Sequence, residues 1–525
     1  MSSVEALQSY LGGRWAHGDG VETELVDPVN GAALATASAR GLDRKAALDY
    51  SRNKGGPALR ALSFAQRAKL LGDVADVLVK NRARYEQIAI ANSGNTKIDA
   101  AIDIDGGIGT LKYYARLGAP LAEARYLIED KPVRLSKAEN YQAMHVLSPR
   151  RGVAVHINAF NFPSWGLWEK AAVSLLAGVP VLAKPASATA QLTHAMVQDV
   201  IAANVLPAGA LSLLVGGAGD LLDHLAADDL VAFTGSSETA DTIRGHRNVL
   251  ARGVLVNVEA DSINAALLAP DADAGTPAFD AFVKEVAREM TVKAGQKCTA
   301  IRRVFVPAAV ADKVTEALAA RLSKVTVGDP HREDVRMGPV VTRAQQAAAL
   351  DGIKKLASEA AVVTGGAEAP KLDGIDSAKS SFVAPTLLQV KDGASAQAVH
   401  DVEVFGPAAT VVPYKDKSEA FVLIARGGGS LVASVFAAGR DFLADTVSEL
   451  GPAHGRLLLV EPSIADAHTG HGIVMPQCHH GGPGRAGNGE ELGGLNGLRL
   501  YHQRVAVQGS TELLADIQSK AAMLQ

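Results

Sequence analysis

The sequence predicts an α/β protein of two open-sheet domains with a small β arm. Three observations carry that expectation. Between residues 153 and 265, short apolar runs ("VAVHINA", "VPVLAKP", "LSLLVGG", "LVAFTGS", "GVLVNVEA") alternate with stretches of helical periodicity, as βαβ units of a parallel sheet do. A second series, "AIRRVFVP", "SFVAPTLLQV", "AATVVPY", "LVASVFA" and "RLLLVEP", occupies 266–465. Two segments outside both series, 132–152 and the tail beyond 484, alternate instead as half-exposed strands do.

Taken in order, residues 60–125 space their apolar side chains three and four apart, which predicts helices, the first closing on Gly94. The alternation in "PVRLSKAENYQAMHVLSPRRG" (132–152) predicts a hairpin, and an isolated hairpin is marginal in water, so it should pair with a partner chain. The strand-like "LRLYHQRVAVQG" (497–508) is a second candidate for such pairing. The expected division is 1–131 with 153–265 as one domain, 266–465 as another, and 132–152 with 484–525 as oligomerisation arm and tail. A chain of 525 residues exceeds what one core usually fills, which fits two large domains.

Composition excludes several classes of function. The formal net charge is -4, from 52 Lys and Arg against 56 Asp and Glu, so the basic surplus that nucleic-acid binding needs is missing. No run of about 18 apolar residues appears, and "MSSVEALQSYLGGRW" lacks the basic and apolar regions of a signal peptide. With two cysteines, Cys298 and Cys478, no disulfide framework can form. A soluble cytoplasmic enzyme without membrane or nucleic-acid partners is expected.

Candidate chemistry lies where elements meet. Glu259 ends a strand-like run, as a general base or a solvated turn residue. Lys184 ends another, where a ligand or the surface must receive its ammonium. The turn at Gly235 and Ser236 opens a helix and suits an anion or a plain cap. "GGAGD" around Gly217 lacks the third glycine of a dinucleotide fingerprint and reads equally as a tight turn. Cys298 falls between a helix and a strand, beside Lys297, a setting that allows a nucleophile or core filler. His468, His471, Cys478, His479 and His480 crowd one segment, but their spacing gives no metal-ligand pair, and no metal is expected.

These pieces occur together and in order: "NAFNFP", "KPAS", "FTGSSETA", "VEADS", "GQKCTA", "FVAPTLL", "EVFGP" and "GRAGNGEELGG". In that the chain resembles the aldehyde dehydrogenase superfamily over nearly its whole length. The resemblance implies the aldehyde dehydrogenase fold, two Rossmann-like open-sheet domains plus a small β oligomerisation arm. It makes Cys298 the nucleophile, Glu259 the general base and Asn161 the oxyanion donor. It assigns cofactor contacts to Phe160, Lys184, Ser187, Gly217, Gly235, Ser236, Glu403 and Phe405. Serine at 187, where NAD-preferring relatives usually carry glutamate, implies NADP as preferred cofactor with NAD weaker. The variant tail "CHHGGPGRAGNGEELGG" resembles the branch that oxidises CoA-linked open-chain semialdehydes in aromatic-compound breakdown. The chain stops at Gln525, without a fused hydratase domain, so the stand-alone members of that branch are the expected match. His479, His480 and Arg485 are the substrate-contact candidates, and a homodimer is expected. Alternatives are a CoA-acylating dehydrogenase, which generally lacks the glutamate base, and a catalytically silent structural relative.

Overall fold

A computed structural model describes residues 4–524. Its first large sheet runs Leu255–Glu259, Leu230–Thr234, Ala154–Ile157, Val181–Lys184 and Leu211–Leu213, all parallel. Ser9–Leu11 and Arg14–Ala16 extend it antiparallel. The parallel strands are mostly apolar, as in a sheet covered on both faces; Leu230, Val231 and Ala232 are wholly buried. The parallel series starts at Ala154–Ile157, builds outward to one side, then returns to add Leu230–Thr234 and Leu255–Glu259 on the other. This reversal opens a crevice at the carboxyl ends of the strands. Ile157, Lys184, Thr234 and Glu259 are those ends.

The predicted helices before the arm are Phe64–Ser93 and Lys97–Gly118. Reciprocal side-chain bonds between Ser63 and Gln66 cap the first, and Gly94, at φ +67°, ends it as read from sequence. The second sheet is ordered Ala361–Thr364, Thr386–Gln389, Ala408–Tyr414, Ile301–Pro307, Asn264–Leu268, Ser430–Phe436 and His454–Val460. All its pairs are parallel except the first. Its strand Asn264–Leu268, buried in mid-sheet, was not anticipated: it follows Glu259 so closely that "VEADSINAALL" reads as a strand and its exit loop.

The arm corrects one expectation. Val133–Arg134 does fold back on Tyr141–Pro149, but the long strand's main partner is His502–Ser510 of the same chain, in a ladder from Tyr141↔Ser510 to Pro149↔His502. The tail strand therefore completes its own arm. It begins at His502 because Gly494–Tyr501 winds into a 3-10 helix. Leu127–Ile128 and Ala522–Met523 extend the same sheet. Among the described residues, no helix is long and apolar enough to cross a membrane.

Candidate active site

Cys298 stands between two cavities. One, about 1450 Å³, follows the crevice of the first sheet and is lined by Phe160, Lys184, Gly235, Ser236, Glu403 and Phe405, among others. The other, about 510 Å³, is walled by Phe162, Trp165, Glu169, Thr299, Val474 and His480. Asn158, Ala159, Asn161, Thr234, Glu259 and Cys298 belong to both walls. The three residues read as catalytic thus come together at the partition.

Local structure explains how each arrives there. Glu259 is carried to the partition by the last residue of its strand. Asn161 follows Ala154–Ile157, and its turn is held by Asp103, which accepts from the backbone N–H groups of Ser164 and Trp165 (3.3 and 2.8 Å). Cys298 sits on a tight loop in which Lys293, Ala294 and Gly295 all have positive φ. A Cβ on Gly295 would lie 2.2 Å from the carbonyl oxygen of Gly406, so only glycine fits there. The loop is tied by Asn264, whose amide donates to the carbonyls of Cys298 (2.8 Å) and Ala300 (3.0 Å). The buried Arg302 joins it to the loop bearing Glu403 and Phe405, donating to Gly295, Lys297 and Gly406. The glycines of "GRAGNGEELGG" have a similar cause: a Cβ on Gly489 would meet the Val258 carbonyl at 2.3 Å, directly behind the base.

The electrostatics reverse the expectation drawn from Lys297. That lysine turns away and pairs with Glu289 at 2.6 Å, both buried. The thiol is left among carboxylates: burial pushes Cys298 up, and Glu259, Glu169 and Glu403 push it further. Burial also pushes Glu259 up, but His480, whose Nε2 is 3.1 Å from Oε2, with Lys170 further off, holds the carboxyl well below the usual range. Lys170, buried, bridges Glu169 (3.2 Å) and Glu491 (3.0 Å). This cluster of Glu169, Lys170, His480 and Glu491 was not read as a unit from sequence. The helix Trp165–Ala177 and the strand Glu490–Leu492 that join it lie more than 300 residues apart, and no local spacing signals their meeting.

The large cavity offers groups suited to a dinucleotide. Glu403 has a buried Oε1 without a partner, and its Oε2 accepts from the Ser262 N–H (3.2 Å). Burial raises its carboxyl to about 7. Phe405 packs edge-on against Phe160 at 5.6 Å. Lys184 donates to the Pro185 carbonyl (3.3 Å) with its ammonium in the crevice. Ser236 caps the helix Ser237–Arg244, and Asp261 receives both the N–H and the hydroxyl of Ser237.

Other candidates are placed differently. Gly217 is outside the cavity lining and its N–H is taken by Glu22 (3.0 Å). Ser187 begins a 3-10 turn just beyond Ala186, which does line the cavity. Arg485, read as a substrate contact, lies on the large cavity, where it donates to the Asp401 carbonyl (2.9 Å). His479 is half-buried beside His480 and outside the small cavity's lining. The histidine-rich segment disperses: His471 meets Ser434 (2.5 Å), His468 packs on Phe436, and Cys478 is exposed. Glu259, Cys298 and His480 do bring donor atoms within 4.8 Å of one another.

The sequence pattern of the aldehyde dehydrogenase family matches residues 15–501. A 3,4-dehydroadipyl-CoA semialdehyde dehydrogenase of Aromatoleum evansii is 51% identical over 91% of this chain and 93% of its own. An α-ketoglutaric semialdehyde dehydrogenase of Bacillus subtilis (strain 168) is 28% identical over 83% of this chain and 87% of its own. Among solved structures, a Staphylococcus aureus betaine aldehyde dehydrogenase in complex with NAD+ superposes with a TM-score of 0.82 at 23% identity, covering 96% of this chain and 95% of its own. With the family pattern matched over residues 15–501 and half its residues shared along almost the full length of one such enzyme, the chain belongs to the aldehyde dehydrogenase family.

Proposed function

We propose that the protein oxidises the aldehyde end of a CoA-linked open-chain semialdehyde to the carboxylic acid, by hydrolysis of an enzyme thioester and with NADP as preferred cofactor. The placement of Cys298 in both cavity walls, with Glu259 and Asn161 beside it, carries the reading. The Aromatoleum evansii relative supports the substrate class, and Ser187 supports NADP, because no carboxylate at that position repels a 2′-phosphate.

In this reading the Cys298 sulfur adds to the aldehyde carbon and its thiol proton passes to Glu259. The alkoxide that forms accepts from the Asn161 amide and the Cys298 N–H, donors fixed before the charge develops. A bound nicotinamide dinucleotide supplies the hydride acceptor. Lys184, Ser236 and Glu403 would hold it, with Phe160 and Phe405 closing on its ring. Once the aldehydic hydrogen has gone, Cys298 carries a thioester. Glu259, having passed the thiol proton on to solvent, then deprotonates a water, hydroxide adds, the C–S bond breaks, the sulfur takes the proton back from Glu259 and the acid leaves.

The arm supports a homodimer. Val133, Leu135, Tyr141, Val505 and Leu513 are exposed apolar side chains on the arm and the helix that follows it, and a second copy would cover them.

Steady-state oxidation of a CoA-linked semialdehyde and of a simple aliphatic aldehyde, each with NAD and NADP, tests the proposal. Acid rather than acyl-CoA as product, higher kcat/KM for the CoA-linked substrate and for NADP, and complete loss in Cys298→Ala are expected. Acyl-CoA as product, or oxidation surviving in Cys298→Ala, would overturn it.

A further inference from the structure

The described reaction needs a thiol, a base and an oxyanion donor, yet the base is already in contact with a fourth group. His480 lies on the short strand His479–Gly481, opposite Glu491 of Glu490–Leu492, and is 6% exposed. Its Nε2 is 3.1 Å from Oε2 of Glu259 and its ring forms part of the small cavity's wall. Thr234 also reaches Oε2, at 3.4 Å, whereas Oε1 is buried with no hydrogen-bond partner. Of the groups that touch Glu259, His480 and Cys298 are the ones that titrate. Glu169, Lys170 and Glu491 face the pair from the helix and strand packed against it, and His479 adjoins it on the same strand.

We propose that His480 is a positioning residue that sets when Glu259 can act: as an imidazolium it pins the carboxylate, and as a neutral imidazole it releases it to take the proton of the water that attacks the Cys298 thioester. The inference rests on the hydrolytic reading above. In the pinned arrangement the proton is on Nε2 and Oε2 accepts it as a hydrogen bond, so the carboxylate is a poor base. After Nε2 loses that proton to solvent, Glu259 takes one from water as hydroxide adds to the thioester carbon. The C–S bond breaks, the carboxylic acid departs and ionises, and the sulfur recovers the proton from Glu259. Nε2 then regains a proton from solvent, and the pair is reset.

The sign of the pH dependence follows from the neighbours. Burial lowers the His480 imidazole, but Glu259, then Glu169 and Glu491, raise it above its usual 6.5. Thioester hydrolysis therefore falls as pH drops through the titration of the pair, not that of an isolated carboxyl. In His480→Gln the amide keeps a hydrogen bond without the charge, so the acid limb becomes that of Glu259 alone, a carboxyl that burial pushes up and no imidazolium holds down.

The test follows pre-steady-state NADPH formation with an aliphatic aldehyde, separating the burst from the slower hydrolysis across pH 5 to 9. The acid limb of hydrolysis should move by a unit or more in His480→Gln, since a single carboxyl replaces the pair. An unmoved limb, or a burst abolished in a variant with unchanged thermal unfolding, would overturn the role. Should the His480 variant not fold, diethyl pyrocarbonate labelling of His480 in wild type and Glu259→Gln decides: the labelling midpoint should fall without the glutamate, and a fixed midpoint refutes the pair. Absence of any NADPH formation in the wild type sinks the oxidation reading; oxidation with an unmoved limb sinks only the role of His480.

Discussion

Cys298, the proposed nucleophile, sits where its surroundings favour the protonated thiol. Burial comes first among the causes and the Glu259 carboxylate second, so the free enzyme's thiol should alkylate slowly at pH 7 while the exposed Cys478 is open to the reagent. Glu259→Gln removes the nearest negative charge and should speed iodoacetamide labelling of Cys298 about tenfold, the effect of roughly one pKa unit; peptide mass spectrometry reads both cysteines in one experiment. A slower Cys298 in that variant would contradict the electrostatic picture. Sequence showed the residue types of the site well, because Cys298, Glu259 and Asn161 sit in short motifs at element ends. It misjudged their field. Lys297 looked like a positive neighbour, but side-chain direction depends on Glu289, one helix away, and the charges acting on the pair come from Glu169, Glu403, His480 and Lys170. A linear motif names who is present and leaves open who faces whom.

At the scale of elements, strand ends were the legible feature. Apolar runs that stop at Lys184, Thr234 and Glu259 marked the carboxyl edge where the crevice lies. The strand Asn264–Leu268 was hidden because it carries a buried asparagine where a strand core is expected to be apolar, and that asparagine is engaged in holding the Cys298 loop. The Cys298 and Glu403 loops act as one piece through Arg302 and the close approach of Gly295 to Gly406. Gly295→Ala adds a methyl group 2.2 Å from a carbonyl oxygen at φ +69°, so one loop must shift. A shift near 1 Å costs on the order of 10²-fold in kcat, which steady-state kinetics would show beside a modest drop in Tm. Gly109, in the helix Lys97–Gly118, has nothing within 4 Å of its would-be Cβ. Gly109→Ala should leave kcat unchanged and add about 0.5–1 kcal/mol of stability. Loss of activity in both variants alike would mean that glycine replacement damages the fold generally and not this junction.

For the whole molecule, the arm is where the proposed dimer is tested. Val505 is 44% exposed on the tail strand and Leu513 is 51% exposed on the helix Thr511–Gln518. Val505→Asp with Leu513→Asp would place charges in the proposed dimer contact while leaving the two large sheets untouched, and sedimentation should show the species at half the wild-type mass. An unchanged mass would move the interface elsewhere. The two large sheets were foreseen as separate series, whereas the pairing of arm with tail was not, since nothing local in "YQAMHVLSP" names its partner.

That pairing also has a timetable. Tyr141 and Gln508 are joined by a 2.7 Å hydrogen bond across 367 intervening steps of chain. At synthesis rates of about 5–20 residues per second, the strand Tyr141–Pro149 waits roughly 20–70 s for its neighbour to be made. Through that interval its edge is bare, between a first sheet able to assemble and a tail not yet translated, and edges of that kind recruit other strands. Slow passage of the ribosome through the second half of the message should therefore lower the yield of soluble protein.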